Sequence, residues 1–177
     1  QLSFNDMKNI YRVETITAKT KIFGVVADPV AQSYSPMLHN SAFQANDLDY
    51  RYLPFRVAAK DIEPFVRWAH REGIGGLSVT IPHKQSVLPM LTQGESAAQG
   101  IGACNTIVFN GEDRIGYNTD YRAAMECIGY GLAKMYEEPN PFEGRSALLL
   151  GAGGVSRAIG WGLTQRRVRV AVTSRNF

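Results

Sequence analysis

The sequence lacks an apolar run of the roughly 18 residues that a membrane-spanning helix needs, and no charged, apolar and small-residue signal opens it. We therefore predict a cytoplasmic protein with no membrane partner. Cysteine is scarce, because only Cys104 and Cys127 occur and neither has the spacing of a metal ligand. Both lie in apolar segments, which predicts reduced thiols in the core, no disulfide and no metal site.

A strong charge of either sign is also missing. The 19 Lys and Arg residues nearly balance the 16 Asp and Glu residues, for a formal net charge of +3. Arg166, Arg167 and Arg169 form a basic group without interleaved aromatic residues, so nucleic acid is not an expected partner and an anionic small molecule is. With 177 residues, 45% of them hydrophobic, the chain is long enough for one large core or two small ones.

What is present is a glycine-rich turn that follows an apolar stretch at 147–150 and opens a helix near Val155. Gly151 permits a tight turn, and Gly153 lacks the Cβ that would hold phosphates away from the backbone. Free N–H groups at the start of the helix then face the anion, although glycines here can also serve only to pack helix on strand. The next strand, 168–176, carries an arginine at its end, which suits the 2′-phosphate of NADP. The predicted NADP-binding residues are Gly151, Ala152, Gly153, Gly154, Val155, Ser174, Arg175 and Asn176.

Strands alternate with helices along the chain, which predicts an α/β fold with a mostly parallel sheet. Strands are expected at 21–27, 49–57, 76–81 and 101–109, and helices at 3–11, from 35 onward, at 61–72 and at 119–136. Ser3 and Asp6 predict a capping box at the start of the first helix, and Asn110-Gly111 predicts a turn. We divide the chain into a junction segment (1–20), a substrate-binding catalytic domain (21–117) and the beginning of a Rossmann-like dinucleotide-binding domain (118–177). A complete domain of the last type has about six strands, so we expect it to be truncated here.

Four polar clusters lie at the ends of the predicted strands of the first domain, where open α/β sheets bind ligands. They are Ser33-Tyr-Ser35, Thr80-Ile-Pro-His-Lys84, Asn105-Thr106 and Asn118-Thr-Asp120. Taken singly, each has a structural explanation. Ser35 is predicted to cap the helix that begins there, Asn118 and Thr119 can cap the helix at 119–136, and Lys84 can be a solvated surface lysine. Taken together, they offer two hydroxyls for a carboxylate, an amide and a threonine for ring hydroxyls, and a lysine with an aspartate for proton transfer. The candidate residues are Ser33, Ser35, Thr80, Lys84, Asn105 and Asp120.

Five segments resemble shikimate dehydrogenase in order and spacing, over about residues 21–176. They are Ser33-x-Ser35-Pro36 followed by His39-Asn40, then SVTIPHK at 78–84, GACNT at 102–106, GYNTD at 116–120 and GAGGVSR at 151–157. That family reduces 3-dehydroshikimate to shikimate with NADPH in the pathway to chorismate and the aromatic amino acids. The resemblance therefore implies an NADP-dependent oxidoreductase that acts on a CH–OH group.

The resemblance also implies roles for the candidate residues. Ser33 and Ser35 would bind the substrate carboxylate, and Thr80, Asn105 and Asp120 would bind its hydroxyl groups. Lys84 would transfer the proton beside Asp120. The chain departs from the usual pattern at Ser78, which replaces an asparagine, at Cys104, which replaces a valine, and at Arg122, where a charge stands close to Asp120. His83, next to Lys84, is expected to be structural.

The opening segment, 2–11 with 20–24, resembles the junction of bifunctional proteins that fuse 3-dehydroquinate dehydratase ahead of shikimate dehydrogenase. A covalently fused dehydratase domain is therefore an expected partner. Two alternatives stay open for the activity: a quinate/shikimate dehydrogenase, and a non-catalytic module that binds shikimate. The presence of Lys84 and Asp120 together with Gly151 and Gly153 argues against the module, because a pure binder needs no such combination.

Overall fold

The computed structural model describes residues 3–137 and 140–174, which form two β-sheets flanked by helices. Six strands make up the first sheet: β1 (Lys21–Ala27), β2 (Tyr50–Arg56), β3 (Gly76–Val79), β4 (Gln93–Gly94), β5 (Thr106–Asn110) and β6 (Asp113–Tyr117). Two strands make up the second: β7 (Ser146–Leu150) and β8 (Arg169–Thr173). The α-helices are α1 (Phe4–Asn9), α2 (Ser35–Ala45), α3 (Ile62–Arg71), α4 (Ser96–Ile101), α5 (Asp120–Tyr136) and α6 (Gly154–Thr164).

The first sheet has the strand order β2-β1-β3-β5-β6-β4. β1 runs parallel to both β2 and β3, and β4 runs parallel to β6. β5 is antiparallel to β3 and to β6, so the chain reverses twice within the sheet. As a result, the ends of β1, β3 and β6 lie at the same edge of the sheet as the start of β5. The four polar clusters predicted from the sequence follow or precede these strand ends.

Local sequence accounts for most of the helix boundaries. Ser3 and Asp6 form the predicted capping box at α1, in which each side chain accepts a hydrogen bond from the other residue's backbone N–H. α3 stops before Gly73, which adopts φ +76° as a left-handed helix end requires. In α2, however, Tyr34 occupies the cap position and Ser35 is the first helical residue, so the prediction of Ser35 as a helix cap is wrong.

Two strand predictions are also corrected. The strand expected at 101–109 begins only at Thr106, because Ile101 ends α4 and Gly102 turns the chain away with φ +68°. The turn predicted at Asn110-Gly111 is a hairpin, and its second strand, β6, was not predicted. The mostly parallel α/β sheet itself is confirmed.

The segment predicted as a junction packs on the first sheet. Tyr11 is buried, and the guanidinium of Arg51 in β2 donates hydrogen bonds to Thr15 Oγ1 at 2.5 Å and to the Tyr50 carbonyl at 2.7 Å. Asp49 adds an ion pair with Arg51 at 3.6 Å. Edge strand β2 is protected in a second way, since the buried Asn40 of α2 pairs with the backbone of Tyr52 through two hydrogen bonds of 2.9 Å.

α5 and α6 pack against the second sheet and against each other. They approach closely at Gly162, where an added Cβ would lie 2.7 Å from the Met125 side chain. Met125, Leu163 and Val168 form a core there, separate from the main core of the first sheet around Val26, Val66 and Ile107. The domain boundary at 117/118 remains a prediction.

The two cysteines differ, since Cys104 is fully buried and Cys127 on α5 is exposed. The prediction of a core thiol is therefore wrong for Cys127. Among the described residues, no helix is long and apolar enough to cross a membrane. The same part of the chain contains no group of three His, Cys, Asp or Glu side chains arranged to hold a metal ion.

Candidate active site

A cavity of about 760 Å³ lies at the edge of the first sheet where β1 and β3 end and β5 begins. All six candidate catalytic and substrate-binding residues line it. The strand reversal explains this, because it brings the start of β5 and the residues after β6 to the same edge as the ends of β1 and β3. The cavity is lined by Val25, Ala27, Asp28, Pro29, Val30, Gln32, Ser33, Ser35, His39, Ser78, Val79, Thr80, Ile81, Lys84, Asn105, Thr106, Thr119 and Asp120.

Lys84 and Asp120 form an ion pair on the cavity wall. Lys84 Nζ donates to Asp120 Oδ2 at 2.5 Å, and the two side chains are 13% and 24% exposed. Such a short contact between charged groups of limited solvent access is far stronger than a typical surface pair. Asp120 is also the first residue of α5, so the positive end of the helix dipole favours its carboxylate. The predicted pairing of these two residues is present.

Asn105 holds the second oxygen of the same carboxylate. Its Nδ2 donates to Asp120 Oδ1 at 2.9 Å and to Thr119 Oγ1 at 2.8 Å. Its Oδ1 accepts from the Thr119 backbone N–H at 3.0 Å and from Thr106 Oγ1 at 3.1 Å. With this many partners the Asn105 amide has a fixed orientation, which in turn fixes the carboxylate that faces Lys84.

Of the two residues that could cap α5, Asn118 has the structural role and the Thr119 side chain does not. Buried Asn118 accepts the Asp120 backbone N–H at 3.1 Å and donates to the Ala103 carbonyl at 2.8 Å. Thr119 occupies the cap position of α5 without making a side-chain cap. Asn118 thus ties the start of α5 to the first sheet.

The turn that carries Lys84 is anchored from within the core. His83 is fully buried, and its Nε2 lies 2.8 Å from the Val57 carbonyl oxygen, so that nitrogen carries the proton and donates. The Lys84 carbonyl accepts from the Cys104 N–H at 2.7 Å. The structural role expected for His83 fits these contacts.

Ser33, Ser35 and Thr80 present hydroxyls to the cavity from two sides. Ser33 Oγ accepts the Ser35 backbone N–H at 3.3 Å, which joins the loop after β1 to the first turn of α2. Thr80 follows β3, and its N–H donates to the Val26 carbonyl at 3.1 Å. His39 also lines the cavity, but the sequence analysis gave it no role. Its position four residues after Ser35 on one helix could have indicated that both side chains face the same site.

The departures from the family pattern leave this network intact. Arg122 points to Glu95, with Nη2 3.2 Å from Oε1, and so has a partner other than Asp120. Cys104 Sγ donates to the Thr106 carbonyl at 3.1 Å, and burial raises the pKa of its thiol. Ser78 lines the cavity at the place of the usual asparagine.

A second cavity, of about 380 Å³, lies beside the first and is shared between the two sheets. Thr80 and Lys84 line it on one side, and Gly153, Gly154 and Val155 line it on the other. Lys84 therefore borders both cavities.

The glycine-rich turn has the form that a pyrophosphate requires. Gly151 adopts φ +115°, and an added Cβ at Gly153 would meet no atom within 4 Å, so the backbone there faces open space. No side chain caps the start of α6, which leaves its first N–H groups available to an anion. Ser174 follows β8, whose Thr173 carbonyl accepts the Gly151 N–H at 2.7 Å. Arg175 and Asn176 lie outside the described residues.

Comparison with known proteins identifies the family. Residues 25–107 match the family model of the shikimate dehydrogenase substrate binding domain. Shikimate dehydrogenase (NADP(+)) of Synechocystis sp. is 44% identical over 151 residues, which cover 85% of this chain and 50% of the relative. Residues 25–107 belong to the family of shikimate dehydrogenase substrate binding domains. It spans about half the length of the curated relatives that it matches.

Solved shikimate dehydrogenases share the fold. The enzyme from Aquifex aeolicus superposes with a TM-score of 0.81 at 31% identity, over 92% of this chain and 58% of that one. The enzyme from Thermus thermophilus, solved in complex with NADP(H) and shikimate, superposes with a TM-score of 0.73 at 29% identity, over 88% of this chain and 56% of that one. The predicted fold class is thereby confirmed.

Proposed function

We propose that this chain supplies the substrate-binding part and the pyrophosphate turn of an NADP-dependent shikimate dehydrogenase, which reduces 3-dehydroshikimate reversibly to shikimate. One observation carries the proposal: Lys84, which is ion-paired with Asp120, lines both the polar cavity and the cavity beside the glycine-rich turn. A proton donor at that place can reach a ring substrate in the polar cavity and also borders the turn that would hold the pyrophosphate of a dinucleotide. A module that only binds a ligand has no use for it.

The chemistry of the pair follows from the reaction. NADPH, when bound, supplies a hydride to the ketone carbon. The carbonyl oxygen then becomes an alkoxide, and the ammonium of Lys84 stabilises the developing charge and donates its proton. Asp120 keeps the ammonium directed into the cavity through the 2.5 Å contact. In the reverse direction, the neutral amine of Lys84 accepts the proton of the shikimate hydroxyl.

Substrate contacts are proposed for the other cavity residues. Ser33 and Ser35 offer hydroxyl donors to the carboxylate, and Thr80, Asn105 and Asp120 face the side on which the ring hydroxyls would lie. Asn105 holds the Asp120 carboxylate at 2.9 Å, so a ring hydroxyl would meet carboxylate acceptors in fixed positions. Fixed positions reduce the entropy lost on binding.

The residues of the glycine-rich turn fit a dinucleotide. Gly151 and Gly153 leave room for phosphate oxygens, and Gly154 and Val155 begin a helix of 11 residues whose N–H groups face them. Ser174 and, beyond the described residues, Arg175 and Asn176 are proposed for the adenosine ribose and its 2′-phosphate. The fused dehydratase domain, the cytoplasmic location and the distinction from quinate/shikimate dehydrogenase stay predictions.

The proposal is tested in the full-length protein by following NADPH oxidation with 3-dehydroshikimate and NADPH formation with shikimate and with quinate. Lys84→Ala should lower kcat by about 10²–10⁴-fold and change the substrate KM much less, because the lysine acts mainly on charge that develops in the transition state. Lys60→Ala, at an exposed lysine outside the cavity, is the matched control and should keep normal kinetics. Absence of turnover in the wild-type protein, or normal turnover in Lys84→Ala, would refute the assignment.

A further inference from the structure

His39 stands on the cavity wall one helical turn after Ser35. A spacing of four residues places both side chains on the same face of α2, and both line the cavity. The imidazole stacks on the ring of Tyr52, with centroids 4.2 Å apart and planes 20° apart, and packs more loosely on Phe43. Within residues 3–137 and 140–174, those ring contacts are its only polar or aromatic interactions, so its N–H group has no partner there.

The other ionisable groups of the cavity are paired. Asp28 accepts from Arg56 Nε at 2.9 Å, and Asp120 binds Lys84 at 2.5 Å. α2 carries no second ionisable residue, β2 faces His39 with the hydroxyl-bearing ring of Tyr52, and β1 ends in Asp28. His39 is therefore the titratable side chain in the described cavity lining that has no counter-ion. Burial lowers its pKa, so the imidazole is neutral in the free cavity near neutral pH.

Among the described lining residues, an anion that enters this cavity meets no uncompensated positive charge. Ser33 and Ser35 donate hydrogen bonds, but two hydroxyls replace only part of the hydration that a carboxylate loses. An adjacent imidazole changes this balance, because a nearby negative charge favours its protonated form. Protonation then adds both a second N–H donor and a positive charge at the moment when the anion is bound.

We propose that His39 is a third binding residue for the substrate carboxylate, beside Ser33 and Ser35, and that it takes up a proton when the anion binds. The inference rests on the proposed function, which supplies a carboxylate as the anionic group. Linkage fixes the sign: if the complex binds more protons than the free protein, affinity rises as pH falls. One linked proton limits the slope to about tenfold in affinity per pH unit.

The experiment is calorimetric titration of the full-length protein with shikimate at about pH 8, 7 and 6, in two buffers that differ in ionisation enthalpy. The buffer dependence of the heat gives the number of protons taken up. The wild-type dissociation constant should fall by about three- to tenfold from pH 8 to pH 6, with net proton uptake. Shikimate methyl ester, which carries no negative charge, should bind with neither effect.

Two variants and a control separate His39 from the other groups. His39→Gln keeps an N–H donor without a titratable ring, and His39→Phe keeps the stacking on Tyr52; both should lose the proton uptake and the pH slope. His70→Gln is the control, since His70 stacks on Phe109 and contacts the Gly111 carbonyl outside the cavity. It should keep both. Far-UV circular dichroism checks the fold of each variant.

Each outcome decides a specific point. Shikimate binding by the wild-type protein without proton uptake, an equal pH slope with the methyl ester, or an unchanged slope in His39→Gln overturns the role of His39 and leaves the proposed function standing. No binding of shikimate by the folded wild-type protein at any of these pH values overturns both. The wild-type measurement with the two ligands remains decisive even if a His39 variant does not fold.

Discussion

Replacement of Asn40 by alanine should weaken the edge of the first sheet at β2. Asn40 is 2% exposed and its side chain pairs with the N–H and the carbonyl of Tyr52, each at 2.9 Å. Tyr52 is itself 4% exposed, so alanine leaves two buried backbone groups of edge strand β2 without partners. Each such group costs about 1–3 kcal/mol. Because water reaches an edge strand more easily than a central one, we expect a loss of about 2–4 kcal/mol in the free energy of unfolding.

The assay uses the two tryptophans of the described chain. In a Trp161→Phe background, Trp68 on α3 reports urea unfolding of the first sheet, and Asn40→Ala is compared with its parent. The matched control is Asn46→Ala at the end of the same helix, because exposed Asn46 bonds through its side chain only to the Ala42 carbonyl and should cost less than about 0.5 kcal/mol. Hydrogen exchange at the Tyr52 amide should also become faster in Asn40→Ala alone. An Asn40→Ala midpoint equal to that of Asn46→Ala, with unchanged protection of the Tyr52 amide, would show that this reasoning is wrong.

Three further predictions concern other parts of the molecule. Gly153→Ala should leave unfolding within about 0.5 kcal/mol of wild type, since the added Cβ meets open space, but should raise the KM for NADPH at least about tenfold; equal KM values would remove this glycine from the cofactor site. Iodoacetamide should alkylate exposed Cys127 in the native protein and reach Cys104 only on unfolding, because burial both shields that thiol and raises its pKa; mass spectrometry of peptides checks this order. Burial lowers the pKa of His39 from its ordinary value of 6.5, so below that value the unfolded chain binds a proton that the folded chain does not. The stability of the fold therefore falls as pH falls. The decrease in the urea midpoint from about pH 7.5 to 5.5 should be larger in wild type than in His39→Gln.

Sequence reasoning predicted best where local chemistry alone decides the structure. β1 has the predicted bounds because an apolar run ends at Asp28-Pro29, and the capping box of α1 needs only Ser3 and Asp6. The strand expected from Ile101 was wrong because an apolar run is equally compatible with the end of a helix. Only the left-handed conformation of Gly102 separates the two, and no pattern of apolar residues reveals it.

The types of residue in the candidate site could be predicted from the sequence, but the way in which the fold brings them together could be predicted only in part. A lysine and an aspartate suited to proton transfer were identifiable as a pair, and the structure brings them to 2.5 Å. Their contact depends on β6, which was missed because Asp113-Arg-Ile-Gly-Tyr117 alternates weakly and reads as polar. The role proposed for His39 depends on the other charged side chains of the cavity being paired. Such pairing follows from three-dimensional contacts and not from the spacing of residues in the sequence.

The hairpin formed by β5 and β6 has an exposed turn at one end and residues of the candidate active site at the other. Its tip, Asn110-Gly111, stands a full strand length from the cavity, while its two open ends hold Asn105 and Asp120 at 2.9 Å. The tip is therefore the natural place to insert a reporter peptide or to create new termini by circular permutation, at the expense of one contact between Gly111 and His70. A change of even one residue in the pairing of the two strands would instead shift the start of α5, and Asp120 with it, relative to Asn105.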